Sequence, residues 1–122
     1  MKNTKTITLS REERKMLRAI KSRMRKAPAA DYAIYKLGIE TGMNRMKLHQ
    51  GFYFLFGIHI HEYLVEQRLA LVKKLLRKTT LSVKAISIQS GFKNRKYFFR
   101  FFKQKTSFTP IGYRKHCKQR AS

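Results

Sequence analysis

Two segments of this chain carry side chains that could contact the edges of nucleic-acid bases. Successive residues of an α-helix are about 100° apart, so a predicted helix has an inner face and an outer face. The first outer face is mostly uncharged and includes a methionine, and the second is basic and includes a phenylalanine. The outer-face residues are Met46, His49, Gln50 and Tyr53, with Arg45 at the helix start, and in the second segment Arg95, Lys96, Phe99, Arg100 and Lys103.

These residue types suit the major groove of DNA. Arg and Lys pair with guanine, Gln pairs with adenine, and Phe or Met can touch a thymine methyl group. A basic helix face taken alone is usually only solvated, so the prediction depends on the turns that precede the helices. We predict base contacts from Arg45, Met46, His49, Gln50, Arg95, Lys96, Phe99 and Arg100, and phosphate contacts from Asn44, Tyr53, Asn94 and Lys103.

The same turn precedes both segments. Gly42 and Gly91 are 49 positions apart, and the pairs that start at Asn44 and Asn94 are 50 apart, so the second turn has one extra residue. Glycine suits a left-handed residue that ends a helix, and asparagine suits the cap that begins the next one. Helix, glycine turn and helix are the outline of a helix-turn-helix unit, which inserts its second helix into the major groove.

The apolar spacing predicts an all-α protein of seven helices. Ser10 and Glu13 form a predicted capping box, Asp31 is the predicted cap of the second helix, and Ile39 is placed on its inner face. The predicted helices are 11–26, 32–41, 45–56, 60–78, 83–90, 95–105 and 110–117. The predicted regions are 1–30 (a tail through Leu9, then the first helix), 31–59 (first helix-turn-helix unit), 60–80 (linker helix) and 81–122 (second unit with the C-terminal helix).

The charge of the chain indicates an anionic partner. It has 29 Lys and Arg against 6 Asp and Glu, a formal net charge of +23. Such a balance indicates nucleic acid, an anionic membrane or an acidic protein, and does not by itself select sequence-specific DNA binding. The single cysteine, Cys117, cannot form an internal disulfide and suits a reducing cytosol. No apolar run is long enough to span a membrane, so we predict a cytoplasmic protein without a membrane partner.

Other functions have weaker support. The chain has no P-loop, no dinucleotide-binding glycine motif and no catalytic-triad spacing, so we predict neither an enzyme nor a cofactor. His59 and His61 lack a cysteine or acidic partner that would complete a metal site, and we predict none. The run Tyr97–Phe102 resembles an interfacial helix, but its phenylalanines are needed for a core. The main alternative is a non-specific nucleic-acid-binding protein that uses charge alone.

From about Asp31 to His116 the sequence resembles the AraC/XylS-type DNA-binding domain. The segments GMNRMKLHQGFYFLFG, YLVEQRLALVKKLL and LSVKAISIQSGFKNRKYFFRFFKQKTSFTPIGYRK are similar to the family's first unit, linker helix and second unit. The resemblance implies a transcription regulator, commonly an activator that touches RNA polymerase. It also implies base contacts from Met46, His49 and Gln50 in the first unit and from Arg95, Lys96, Phe99 and Arg100 in the second.

The sequence departs from the family pattern at several positions. Small residues follow Leu37 and Ile86 in the helix before each turn, Gly38 and Ser87 instead of the usual alanine, so packing is expected to survive. Ser107 replaces the glycine before the final Thr-Pro, which predicts a shifted turn. Phe99 stands where a small polar residue is usual, so the base preference of the second unit is left open. Many members carry a separate effector-binding or dimerisation domain, and this chain is either a stand-alone regulator or the C-terminal module of a longer protein.

The predicted linker helix is about 27 Å long, close to the 34 Å repeat of one DNA turn. Two recognition helices that are joined in this way could read adjacent major-groove segments from one chain. The alternative is that one unit reads bases while the other holds phosphates. Because the second outer face is much more basic than the first, we expect the two units to contribute unequally.

Overall fold

The computed structural model of the chain describes residues 7–121, and these residues form seven α-helices and no β-strand. The predicted all-α fold is therefore confirmed. The helices are α1 (Arg11–Lys26), α2 (Ile34–Thr41), α3 (Arg45–Phe56), α4 (Ile60–Lys78), α5 (Val83–Gln89), α6 (Arg95–Thr106) and α7 (Pro110–Ala121). They belong to two compact units, Met1–Val65 and Glu66–Ser122. The boundary falls within α4, which supplies Ile60 and Leu64 to the first core and Val72 and Leu76 to the second.

The first unit is built on the packing of α1 against α3. The capping box forms as predicted, because the Ser10 hydroxyl accepts from the backbone N–H of Glu13 and the Glu13 carboxylate accepts from that of Ser10. Gly51 of α3 lies so close to α1 that an added Cβ would approach a methyl carbon of Leu17 to 3.0 Å. The buried apolar side chains of this unit are Leu9, Leu17, Ile20, Met24, Leu37, Met43, Leu48, Phe52, Ile60 and Leu64.

The residues before α1 are more than a tail. Leu9 is buried, and its methyl carbons would contact a Cβ at Gly51 at 3.2 and 3.5 Å. The backbone carbonyl of Leu9 also accepts a hydrogen bond from the Arg14 guanidinium at 2.8 Å. The prediction of a tail through Leu9 is wrong at this residue, since an isolated leucine before a cap has no periodicity that would reveal its burial. Residues 1–6 of the predicted tail lie outside the described residues.

Two predictions for α2 are wrong. Asp31 does not cap the helix, whose N-cap is Ala33 without a side-chain hydrogen bond. Asp31 lies three residues before the first residue of the helix, and its carboxylate instead accepts from the N–H of Ala33 and pairs with Lys36 at 2.6 Å. Ile39 does not face inward, because it is 81% exposed. Ile39 follows Leu37 by two positions, about 200° around the helix, so it lies away from the face on which Leu37 is buried and Ile34 packs against the core.

The second unit has an aromatic core. Phe98 and Phe102 of α6 are fully buried, and their ring centroids are 6.0 Å apart. Phe92, in the turn before α6, packs on Phe98 with a centroid separation of 5.1 Å. Val72, Leu76 and Ile86 complete the buried set. Ser87 takes the place of a small apolar residue here, and its hydroxyl is satisfied by donation to the carbonyl of Lys84.

The turn at Ser107 is not shifted, which corrects the prediction made from its missing glycine. Ser107 is the C-cap of α6 and has a left-handed backbone with φ of 68°. Its N–H donates to the carbonyl of Lys103 at 2.8 Å, as at a glycine cap. Among the described residues, it is the only one other than glycine with a positive φ. The turn therefore keeps the backbone of a glycine cap and accepts local strain at Ser107.

Replacing Ser107 by glycine is expected to stabilise the second unit by about 0.5–1 kcal/mol. A left-handed backbone costs a residue with a Cβ about 1–2 kcal/mol, and glycine avoids this cost. Glycine also raises the entropy of the unfolded chain, which offsets part of the gain. Urea unfolding followed by circular dichroism would measure the change. Ser107→Ala is the matched control, because it removes the hydroxyl but keeps the Cβ. A gain of the same size in both variants would contradict the strain at this position.

Candidate nucleic-acid interface

The first turn is set by Gly42 and Asn44. Gly42 has φ of 75°, and its N–H donates to the carbonyl of Gly38 at 2.9 Å, which ends α2. The Asn44 side chain accepts from the backbone N–H of Lys47 at 2.8 Å, which begins α3 at Arg45. The Oδ1 atom of Asn44 is thus engaged in the cap, and its amide nitrogen remains the group that could donate to a phosphate.

The faces of α3 are divided as predicted from the sequence. Leu48 and Phe52 are fully buried and Gly51 is buried, while Leu55 is half-buried. The predicted contact residues lie on the other side: Arg45 and Gln50 are exposed, Met46 is 60% exposed, Tyr53 is 49% exposed, and His49 is half-buried. The structure brings this set together on one face of one helix. Whether these side chains contact DNA stays a prediction.

A stacked pair supports the C-terminal end of this face. The ring of Tyr53 stacks on the imidazole of His59, with centroids 4.5 Å apart and planes at 18°. His59 lies just before α4, where its carbonyl accepts from the N–H of Tyr63. His61 lies in the first turn of α4 and is exposed. The pair positions the Tyr53 ring, so a phosphate contact from Tyr53 would come from a side chain that is already oriented.

The second unit repeats this arrangement with a more basic face. Gly91 has φ of 94°, and the Asn94 side chain accepts from the backbone N–H of Tyr97 at 2.8 Å. Phe99 is 38% exposed and is held edge-on by the buried Phe98, at 5.6 Å between centroids. Its ring can therefore contact a base while its other side rests on the core. The remaining predicted contact residues, Arg95, Lys96, Arg100 and Lys103, are all exposed.

The charges of the two units are compensated to different degrees. Three ion pairs lie in the first unit, and one of them joins Lys47 of α3 to Glu13 of α1 at 2.8 Å. The hydrogen bonds from Lys47 and from the Ser10 N–H hold the pKa of Glu13 below its ordinary value of 4.5. In the second unit Glu66 is the one acidic residue in the sequence, against sixteen Lys and Arg. Its basic side chains therefore far outnumber its carboxylates.

Two exposed aromatic residues were missed by the sequence reasoning. Phe54 of α3 is 62% exposed, four positions after Gln50, a spacing that places neighbours on one helix face. Tyr97 of α6 is 48% exposed and stacks on Phe101 at 5.7 Å between centroids. The helical period alone could have placed both at the edge of the outer faces.

Residues 7–121 contain neither a metal-binding cluster nor a membrane-spanning helix. This part of the chain holds no cluster of three or more His, Cys, Asp or Glu side chains that could bind a metal ion. It also contains no helix with the length and apolarity needed to cross a membrane.

Two helix, glycine turn, helix units, each with an exposed outer face, define a double helix-turn-helix protein. A family model described as a helix-turn-helix domain matches residues 37–116. The chain belongs to the AraC-type helix-turn-helix family of transcriptional regulators and corresponds to its DNA-binding domain.

Relatives of known role share this region. The xylose operon regulatory protein of Haemophilus influenzae is 31% identical over 74 residues, which are 61% of this chain and 19% of that protein. The bifunctional transcriptional activator/DNA repair enzyme AdaA of Bacillus subtilis is 35% identical over 71 residues, which are 58% of this chain and 34% of that protein. The chain thus matches only a minor part of the length of these relatives.

Solved structures show the same fold. The DNA-binding domain of the global transcriptional factor AdpA, in complex with a target DNA, has a TM-score of 0.78 at 20% identity, covering 85% of this chain and 94% of that one. The C-terminal domain of the two-component response regulator yesN from Fusobacterium nucleatum has a TM-score of 0.72 at 28% identity, covering 80% and 95%.

Proposed function

We propose that this chain is a sequence-specific regulator of transcription that binds double-stranded DNA and inserts α3 and α6 into adjacent major-groove segments. The observation that carries the proposal is the exposure of a base-reading set of side chains on the outer face of each second helix, behind a glycine turn and an asparagine cap. Such sets match the pattern by which helix-turn-helix units read the major groove. The crystal structure of the AdpA domain with its target DNA supports the choice of partner.

The two helices are proposed to contribute unequally. On α3 the face is mostly uncharged, which favours Gln50 on adenine and Met46 on a thymine methyl, with Arg45 and His49 beside them. The α6 face is basic, which favours guanine contacts from arginine and lysine. The proposed base contacts there are Arg95, Lys96, Phe99 and Arg100, and the proposed phosphate contacts are Asn44, Tyr53, Asn94 and Lys103.

The proposed role in regulation is activation through contact with RNA polymerase, in the cytoplasm of a bacterium. The support is the printed role of AdaA as a transcriptional activator and the bacterial source of the relatives. A further effector-binding or dimerisation domain is part of the proposal, because this chain matches 19% and 34% of the two relatives. A reporter gene behind the selected DNA site would give more transcript with the protein than without it. A decrease would identify a repressor.

Selection from randomised duplexes tests the proposal most directly. A specific regulator should enrich one motif long enough for two neighbouring major-groove segments. The bound complex should then resist competition by unrelated DNA at about 0.15 M salt, where specific sites are typically about 10³-fold or more preferred. If the selected motif covers only one major-groove segment, one unit reads bases and the other unit contacts only phosphates. Equal competition by unrelated DNA would instead support the alternative favoured by the charge of +23, which is non-specific binding.

Replacing Arg100 by alanine is expected to weaken binding to the selected site by about 1–3 kcal/mol and to relax the preference at one base pair. The reason is that a bidentate contact from arginine to guanine discriminates among bases. The matched control is Lys103→Ala, which removes the same charge from a proposed phosphate contact. It should weaken all sequences alike and lower the salt slope by about one. If Arg100→Ala lowers the affinity for all DNA sequences by the same factor, Arg100 contacts a phosphate and not a base.

A further inference from the structure

The second unit has a groove that the proposed DNA-reading residues do not line. Its volume is about 680 Å³, and its walls come from α4, α7 and the turn that follows α6. Lys73 and Arg77 project from α4, and Arg120 projects from α7. The exposed face of α6 that carries Arg95 and Arg100 is not part of the groove, which reaches only the last turn of that helix at Lys105. The groove is thus a separate surface of the same unit.

The groove has a strong positive charge. Lys73, Arg77, Lys105 and Arg120 all line it, and none of them forms an ion pair with any part of the chain that the structure describes. No acidic residue follows Glu66 in the sequence. Four basic residues that line one groove, with no acidic residue among the lining side chains, give the groove a high positive potential, which favours an anionic ligand. Arginine in particular binds phosphate through two parallel hydrogen bonds.

The groove also has an aromatic wall. The rings of Phe108 and His116 lie with centroids 4.8 Å apart and planes at 31°. Tyr113 packs edge-on against Phe108 at 6.2 Å and against the buried Phe102 at 5.6 Å, so this wall is anchored to the core. A rigid ring surface offers stacking to a planar ligand, as in sites that bind single-stranded nucleic acids. A simple inorganic anion would leave this surface unused.

We propose that this groove binds a nucleotide, whose phosphates lie among the four cations and whose base packs on the Phe108–His116 wall. The same chemistry is offered by a free nucleoside triphosphate and by a short single strand of nucleic acid. The volume lies within the range of about 300–1,000 Å³ that is usual for small-ligand pockets. The site goes beyond reading of the duplex, because its residues are distinct from those proposed to contact the major groove.

The lone cysteine supplies a direct probe of occupancy. Cys117 lines the groove and is half-buried, so bound ligand should slow its alkylation by the neutral reagent N-ethylmaleimide. With the intact chain, ATP should protect Cys117 and should bind in calorimetry. Inorganic triphosphate tests the charges alone, and adenosine tests the ring wall alone. Both should bind at least about tenfold more weakly than ATP if phosphate and base contacts each contribute.

Variants connect the binding to the groove. Arg77→Gln should weaken ATP binding about tenfold through the loss of a charge-assisted hydrogen bond. Lys78→Gln is the matched control, since Lys78 is exposed on the next position of α4 and does not line the groove. Arg120→Gln, near the end of α7, is a second groove variant in case Arg77→Gln fails to fold. Both groove variants should select the same duplex motif as the native chain. If ATP binding is not observed, the proposed reading of duplex DNA is therefore unaffected.

The possible outcomes separate the sources of the ligand. Stronger protection by ATP than by a tetradeoxynucleotide supports a free nucleotide, and the reverse supports single-stranded nucleic acid. Equal binding of ATP and inorganic triphosphate would overturn the proposal in favour of an anion site. Equal weakening by Arg77→Gln and Lys78→Gln would overturn it in favour of general attraction to a basic chain. The proposal would also be overturned if neither ATP nor the oligonucleotide protected Cys117 from alkylation and neither gave a heat of binding in calorimetry.

Discussion

Replacing Phe102 by alanine is expected to lower the free energy of unfolding of the second unit by about 3–5 kcal/mol. Phe102 is fully buried on α6 between the rings of Phe98 at 6.0 Å and Tyr113 at 5.6 Å. Truncation would remove both contacts and leave a cavity that a core of large rings cannot close without moving α6. Because the net stability of a small domain is about 5–15 kcal/mol, this loss is enough to leave part of the protein unfolded.

The first unit should remain folded in this variant. Its core residues, which include Leu17, Leu48 and Phe52, form a hydrophobic cluster of their own. Urea unfolding by circular dichroism should therefore show the loss of part of the helical signal at low urea, and hydrogen exchange should assign that loss to residues 66–122. DNA binding should lose the base preference proposed for α6 and keep the one proposed for α3.

The control for Phe102→Ala is available on the same helix. Phe99→Ala removes an equal side chain that is 38% exposed, and it should lower the free energy of unfolding by less than about 1.5 kcal/mol while it alters base preference. If Phe102→Ala unfolds at the same urea concentration as Phe99→Ala, the aromatic core does not hold the second unit together. The pair thus separates a packing role from a reading role within one helix.

The sequence predicts this fold well where local chemistry determines it. The bounds of α1 and α3 agree with the prediction because a capping box marks the start of α1, and an asparagine cap and a glycine end mark α3. The prediction fails where a distant contact decides. Leu9 is buried because Gly51 leaves space for it, and Ser107 keeps a left-handed turn because the surrounding fold imposes that conformation.

The candidate interface follows the same division. The exposure of Gln50 and Arg100 could be predicted because helical period alone places them opposite the core phenylalanines. The stacking of Tyr53 on His59 could not, since it depends on the path of the chain after α3. The groove of the second unit was also not predictable, because α4, the turn after α6 and α7 converge on it from distant parts of the sequence.

Arg114 is the residue whose role is least visible in the sequence and whose loss should be large. Its Nε donates to the carbonyl of Leu76 at 3.1 Å, and its terminal nitrogen donates to the carbonyl of Leu81 at 2.7 Å. Leu76 lies in the last turn of α4, where carbonyls have no partner within the helix. A single guanidinium of α7 therefore satisfies the end of α4 and holds the loop that leads to α5.

Arg114→Ala is expected to lower the free energy of unfolding of the second unit by about 3 kcal/mol, since hydrogen bonds from a charged group contribute about 1.5–3 kcal/mol and two carbonyls are left without a donor. Urea unfolding would measure the loss. Lys115→Ala is the matched control, because it removes the same charge from the exposed neighbouring position. It should be neutral or slightly stabilising, since it reduces the repulsion in a unit with sixteen Lys and Arg.

Arg114→Lys distinguishes charge from geometry at this position. Lysine keeps the positive charge near the C-terminus of α4 but lacks the planar fork that reaches two carbonyls at once. It should recover less than half of the loss caused by alanine. Full recovery by lysine would show that the helix dipole, and not the pair of directed hydrogen bonds, accounts for the stabilisation. Equal effects of Arg114→Ala and Lys115→Ala would show that neither the helix dipole nor the hydrogen bonds of Arg114 stabilise the unit. The packing of Leu76 alone would then hold the end of α4.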